Sequence, residues 1–178
     1  MDQTQFERLH ELMKAAISLE QAIQLDEKNV DVLSALGLVY DDLKRYEDSD
    51  SIYEKALKLY PTNHLLLNNY AYSLSVRTVQ LDRALKMAQE AVRQQPKNPS
   101  YLDTIGWVYF QLGNYAEAKT YILQAIDAGE ASAVVLEHLG DAYSKLGEKE
   151  NSLDNWKRAL EKDPKNQSLE NKIERGTL

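Results

Sequence analysis

The chain has 178 residues, 43% apolar and 28% charged, about one ordinary domain in length and folded rather than disordered in composition. Seven glycines, four prolines and no cysteine exclude a disulfide framework, a thiol nucleophile and cysteine-ligated metal, and leave little material for the turns of an all-β fold. With 21 basic against 28 acidic residues the net charge is −7, which sets aside nucleic acid and anionic membrane surfaces as partners.

Met1 to His10 is polar and lacks the basic head and apolar core of a signal peptide. No segment approaches the roughly 18 uninterrupted apolar residues of a membrane span, so no membrane insertion is expected. On this reading the protein is soluble, cytoplasmic by default, and periplasmic or envelope-associated if it is a fragment of an exported precursor. Nothing between Thr4 and Leu25 is a strong breaker, and the stretch fits either one long helix or two.

From there the chain is periodic. Ala22, Ala56, Ala91, Ala125 and Ala159 recur at spacings of 34, 35, 34 and 34, each followed by an aliphatic residue. Seven residues earlier runs the series Ala15, Ser49, Ala84, Ala118 and Ser152, and between the two lie Leu19, Tyr53, Ala88, Ile122 and Trp156. Offsets of four and three put small, large and small residues on one helical face, so a neighbouring helix can approach closely.

A second helix type carries Gly37, Ala71, Gly106 and Gly140, with Tyr40, Leu74, Tyr109 and Tyr143 three residues on. Glycine within a helix costs about 1 kcal/mol against alanine, so three of them require a packing reason, which close backbone crossing supplies. Gly113 and Gly147 fall in turns within units, and Pro61, Pro96 and Pro164 close units. In the third unit the second helix is displaced by one residue, which predicts a longer, more mobile turn between Ser75 and Asp82.

The columns divide the chain into a partial or degenerate first unit (1–29), four full units (30–63, 64–98, 99–132 and 133–166) and a C-terminal cap helix (167–178) with Leu169 and Ile173 on one face. The expected fold class is all-α, with paired antiparallel helices stacked into a right-handed α-α superhelix.

The stretches LSALGLVYDDLKRYEDSDSIYEKALKLYP, YLDTIGWVYFQLGNYAEAKTYILQAI and LEHLGDAYSKLGEKENSLDNWKRALEKDP resemble tetratricopeptide repeats, a family of 34-residue helical hairpins. The resemblance covers roughly Leu12 to Pro164, and the run Asn68 to Leu160 is most similar to bacterial multi-repeat proteins of cell envelopes. It implies a solenoid whose concave face is lined by the first helix of each unit, used to bind other proteins.

With the glycine column packed inward, the groove positions are Ser34, Leu38 and Asp41, then Asn68, Tyr72 and Ser75, then Asp103, Trp107 and Phe110, then Glu137, Asp141 and Ser144. The candidate partner-binding residues are Leu38, Asp41, Asn68, Tyr72, Asp103, Trp107, Phe110, Glu137 and Asp141, aromatic at the centre and acidic at the flanks. Some members of the family clamp a C-terminal carboxylate with Lys, Arg and Asn at such positions. Here carboxylates stand in most of those places and would repel an acidic tail. The expected partner is an extended protein segment, basic or apolar, anchored on Tyr72, Trp107 and Phe110 with Asn68 holding its backbone. Packing of these aromatics against the next unit is the alternative.

A structural role is the second functional class. The chain would then be the C-terminal part of a longer array, or a scaffold that self-associates through its open N-terminal edge as a homodimer. Trp156, in the large-residue column, is expected in the core. His10, His64 and His138 share no spacing, and Glu137, His138 and Asp141 suit a weak divalent site less well than solvated side chains or a local hydrogen bond, so no metal is expected. No phosphate loop, nucleophile elbow or His/Ser/Asp arrangement occurs, and neither enzyme activity nor a cofactor is expected.

Overall fold

The computed structural model describes residues 3–178; Met1 and Asp2, at the start of the 1–29 unit, lie outside them. Among the described residues there are ten α-helices and no strand: α1 (Gln3–Leu25), α2 (Val30–Asp42), α3 (Tyr46–Leu59), α4 (His64–Val76), α5 (Leu81–Gln94), α6 (Pro99–Gln111), α7 (Tyr115–Ala128), α8 (Ala133–Lys145), α9 (Lys149–Lys162) and α10 (Gln167–Arg175). Of the two arrangements open for Thr4 to Leu25, the single long helix is the one observed. No helix of the described residues is long and apolar enough to cross a membrane.

Each hairpin begins with the same local device. The side chains of Asn29, Asn63, Asn98, Ser132 and Asn166 accept backbone N–H groups at the starts of α2, α4, α6, α8 and α10. A side-chain cap satisfies an otherwise orphaned donor and contributes about 1 kcal/mol. The caps recur at spacings of 34, 35, 34 and 34, a further column in the same register, whereas α3, α5, α7 and α9 have no side-chain cap.

Helices α2 and α3, α4 and α5, α6 and α7, and α8 and α9 pair as hairpins. The first helices contact one another in the order α2, α4, α6, α8, and α10 closes the stack on α9. The glycines act where the paired helices cross. A Cβ on Gly37 would lie 2.5 Å from Tyr53 Cζ and one on Gly106 2.7 Å from Ile122 Cγ1, while one on Gly140 would collide with the Trp156 indole. In the third unit Ala71 already carries a methyl, and the second helix has Ala88 in the large-residue column; both are buried in one cluster.

Three of the within-unit turns span three residues, 43–45, 112–114 and 146–148, and the fourth spans four, 77–80. The longer turn expected from the spacing is therefore present. Thr78 and Gln80 take positive φ there, and the Arg77 guanidinium donates to both Asp50 carboxylate oxygens. Helix α1 stands apart. The small-large-small column is buried in α3, α5, α7 and α9, but Ala15, Leu19 and Ala22 are only half-buried.

Two stability changes follow from this packing. Gly140→Ala should lower stability by about 1–2 kcal/mol, since overpacking against Trp156 outweighs the helix-propensity gain. Lys44 sits at φ 58° where Gly113 and Gly147 have 83° and 78°, so Lys44→Gly should raise stability by about 0.5–1 kcal/mol and Tm by a few degrees. Thermal melts followed by circular dichroism test both.

Candidate functional site

The floor of the concave face is a ladder of polar contacts between successive first helices. Asn69 Nδ2 donates to Ser34 Oγ at 2.9 Å. His138 Nδ1 lies 3.0 and 3.1 Å from the Asp103 carboxylate oxygens, and since a carboxylate only accepts, Nδ1 carries the proton. Lys172 Nζ donates to Glu137 Oε1 at 2.7 Å. In each rung the residue two before the crossing column reaches the residue three before it in the preceding unit, a separation of 35. The rung between Thr104 and Asn68 is missing, and Asn68 Oδ1 is buried without a partner.

Above the floor stands an aromatic stack. On α6, Asp103, Trp107 and Phe110 follow at offsets of four and three, so they share a face. Trp107 stacks on Phe110 (centroids 4.6 Å, planes 5° apart) and on His138 (3.9 Å, 13°), and Tyr72 tilts toward His138 at 6.3 Å. Tyr72 lines three cavities of about 350, 220 and 290 Å³. The first is walled by Leu38, Asp41, Asp42, Tyr46, Ser73, Val76 and Arg77, the second by residues that include Asn68 and Asp103, and the third by residues that include Trp107, Glu137, His138, Asp141 and Lys172.

The candidate residues thus divide by depth. Leu38 is exposed, and Asp41, Tyr72, Trp107, Phe110 and Glu137 are half-buried along the groove. Asn68, Asp103 and Asp141 lie buried in the floor, at 6%, 7% and 4% exposure. Asp141 holds Lys172 by both oxygens at 2.8 Å and accepts from Trp156 Nε1, also at 2.8 Å. Trp156 is fully buried, as expected for the core. His138 is neither solvated nor bonded locally; its partner belongs to the preceding unit. Because Lys172 engages Glu137 and Asp141 together, a cation already sits where a divalent ion would have to bind.

Lys172 was not singled out from the sequence, and His138 was considered there only for a weak divalent site, a solvated side chain or a local hydrogen bond. They fall in a column with Ala35, Asn69 and Thr104, two residues before the crossing column, at the spacing of the other columns. That register was the available signal.

The electrostatics are uneven along the groove. Asp103 is paired with His138, and Glu137 and Asp141 with Lys172. Burial pushes the Tyr72 hydroxyl up to about 12, with the negative charges of Asp103, Glu137 and Asp42 adding to it. Burial likewise raises the Asp141 carboxyl against the opposing pull of Lys172, and raises that of Asp41 against the Ser49 and Ser73 hydroxyls and the Arg77 charge.

Stacked helical hairpins with an aromatic, polar-floored concave face define a helical-repeat scaffold. The chain belongs to the tetratricopeptide repeat family: the family model so described matches residues 73–170, and that of the Psidin N-terminal TPR repeats region matches residues 4–111. Proteins of this family generally mediate protein–protein interaction as non-catalytic scaffolds. The chain is 32% identical over 81 residues to a TPR repeat-containing protein of Pseudomonas aeruginosa, covering 46% of this chain and 14% of that one. It is 31% identical over 106 residues to the BBSome complex member BBS4 of Bos taurus, covering 59% and 20%. It therefore spans a fifth or less of the length of these curated relatives. A thermophilic TPR protein of Thermus thermophilus shares the fold with a TM-score of 0.79 over 97% of this chain and 94% of that one, at 20% identity.

A carboxyl whose pKa rises on folding favours the fold when protonated, and its ionisation subtracts stability as pH climbs through the raised value. Asp41 is such a group. Asp41→Asn should therefore melt above the wild type at pH 7, and the difference should vanish as pH falls below the ordinary aspartate pKa of about 3.9. Paired melts across pH check the sign.

Proposed function

We propose that the concave face formed by α2, α4, α6 and α8 binds an extended segment of another protein without catalysis. Tyr72, Trp107 and Phe110 are its anchors, and Asp41 with Asp42 receives a basic residue of the partner. One observation carries this reading. Asn68 Oδ1 and Trp107 Nε1 are buried polar atoms without partners, and both belong to side chains that wall the groove cavities.

The first is an acceptor and the second a donor, and each such group left unpaired costs about 1–3 kcal/mol. An extended backbone offers N–H and C=O groups in alternation and can serve both once rotation of the Asn68 amide and the Trp107 indole brings these buried atoms to the cavity surface. Leu38 and Glu137 complete the contact surface, while Asp103 and Asp141 hold the floor in place.

The sign of the field supports a basic or apolar segment over an acidic one. Asp103 is engaged by His138, and Glu137 and Asp141 share the single charge of Lys172, so the groove keeps net negative charge, and Asp41 and Asp42 line the first cavity beside Arg77 and exposed Leu38 and Val76. In this reading units 30–63, 64–98, 99–132 and 133–166 each contribute one first helix to the groove, flanked by 1–29 and 167–178.

A structural role in an array or self-associating scaffold is a second reading, favoured by the half-exposed column Ala15, Leu19 and Ala22. Among the described residues no first helix pairs across that face as one does in its counterparts.

Selection from a random displayed peptide library on the full chain should enrich segments with Lys or Arg beside an aromatic or aliphatic residue. Trp107→Ala should weaken a selected peptide about thirtyfold with the helical spectrum retained, taking about 2 kcal/mol for an aromatic anchor. Enrichment of acidic segments, or affinity unchanged in both Trp107→Ala and Tyr72→Ala, overturns the groove assignment.

A further inference from the structure

The rungs of the groove floor share one form. The downstream unit presents an N–H, from Asn69 Nδ2, His138 Nδ1 or Lys172 Nζ, and an oxygen of Ser34, Asp103 or Glu137 in the preceding unit accepts it. Between Asn68 and Thr104 only the acceptor half exists. Asn68 is 6% exposed and its Oδ1 is without a partner, while Thr104 is a short side chain with no N–H to give. The Asn68 amide N–H is already used, donating to Asn69 Oδ1 at 3.1 Å.

Beside this incomplete rung lies the second groove cavity, of about 220 Å³. Its walls include Asn68 and Tyr72 of α4, Ser100 and Thr104 of α6, and Ser132 and Val134 where α8 begins. A water takes about 30 Å³ of the liquid, so the cavity has room for more than one bridging water.

We infer that this cavity is a subsite for a primary carboxamide, the head group of an Asn or Gln side chain. The inference rests on the groove reading above for what carries that side chain, an extended protein segment. The carboxamide N–H supplies the missing donor to Asn68 Oδ1, which reaches the cavity surface by rotation about χ2, a broad torsion in asparagine. Its C=O accepts from the hydroxyls of Ser100 and Thr104, four residues apart on one face of α6. A backbone N–H alone would satisfy Oδ1 and leave the rest of the cavity unfilled.

Charge selects the carboxamide over other donors. The Lys172 ammonium is matched to carboxylates, whereas the neutral Ser34 oxygen takes the neutral amide of Asn69. The Asn68 acceptor is neutral too, and the one carboxylate of the cavity wall, Asp103, is engaged by His138. An ammonium placed there loses its hydration without a free counter-charge. A carboxylate has no proton to give Asn68 and is repelled by Asp103.

Propionamide, the glutamine head group, is the probe. Titrated into the isotope-labelled full chain and followed by NMR, it should shift the Asn68 side-chain amide and the Thr104 backbone amide saturably. Butanone, which has the same shape without the N–H, and propylammonium should bind about tenfold more weakly. Thr104→Gln completes the rung from within the chain, so it should abolish propionamide binding and raise Tm. Ser100→Ala, at an exposed position, should weaken binding about fivefold with the melt unchanged, the effect of one neutral hydrogen bond. Unmoved Asn68 and Thr104 signals, equal binding of butanone or propylammonium, or binding that persists in Thr104→Gln overturns the subsite, even where a peptide selected on the groove is lost in Trp107→Ala. Saturable propionamide binding that is lost in Thr104→Gln, with no peptide enriched, supports the subsite and overturns the groove reading instead.

Discussion

Where α2 crosses α3, α6 crosses α7 and α8 crosses α9, a glycine faces a large side chain with no room for a Cβ between them. The volume missing from one backbone is supplied by Tyr53, Ile122 or Trp156 from the other, so each hairpin closes at one depth and one rotation. The α4–α5 pair obeys the same constraint with the volumes redistributed, since Ala71 is larger than glycine and Ala88 smaller than its counterparts. Tyr53 of α3 and Tyr70 of α4 stack at 4.9 Å where the second unit meets the third. Close packing tolerates such volume-conserving exchange far better than a net gain or loss.

Once each hairpin closes the same way, the first helices stand in register and their groove-side residues meet at constant separation. The polar ladder is the product. Its three rungs join unlike residues, Asn to Ser, His to Asp and Lys to Glu, yet each spans a separation of 35. The ladder also brings a cation to the C-terminal half of the groove, because Lys172 arrives in the column that faces Glu137 and bonds Asp141 as well. The groove positions thus run from the acidic pair Asp41 and Asp42, through Tyr72, Trp107 and Phe110, to carboxylates held by Lys172.

The helices, their pairing and the reason for the glycines were legible because each column repeats one kind of residue for one packing reason. Asn29, Asn63, Asn98, Ser132 and Asn166 were equally legible as caps by spacing, since capping too asks for one kind of side chain. The rungs were harder to read. A column made of Ala35, Asn69, Thr104, His138 and Lys172 has no common chemistry, and its meaning lies in the residue each member meets in the preceding unit. Depth was hidden for the same reason. Asp103 and Asp141 occupy groove positions by count, but their partners His138, Lys172 and Trp156 draw them into the floor, and no periodicity along a single helix records that.

Helix α1 shows the same constraint by its lapse. It keeps the small-large-small column of a second helix, but among the described residues no first helix pairs across it, and Ala15, Leu19 and Ala22 are half-buried where their counterparts are buried. It is held to the stack by Ala16, packed with Leu36 and Tyr40 and joined by Leu19 and Ile23, and by the Tyr40 hydroxyl donating to Glu20 at 2.7 Å. A helix held on one side keeps its remaining faces available. On α1 those faces are apolar twice over, on the column that a first helix would cover and on the outward stripe of Phe6, Met13 and Ile17 that the repeat pattern elsewhere keeps polar. Packing inside the stack accounts for the first of these and gives no reason for the second.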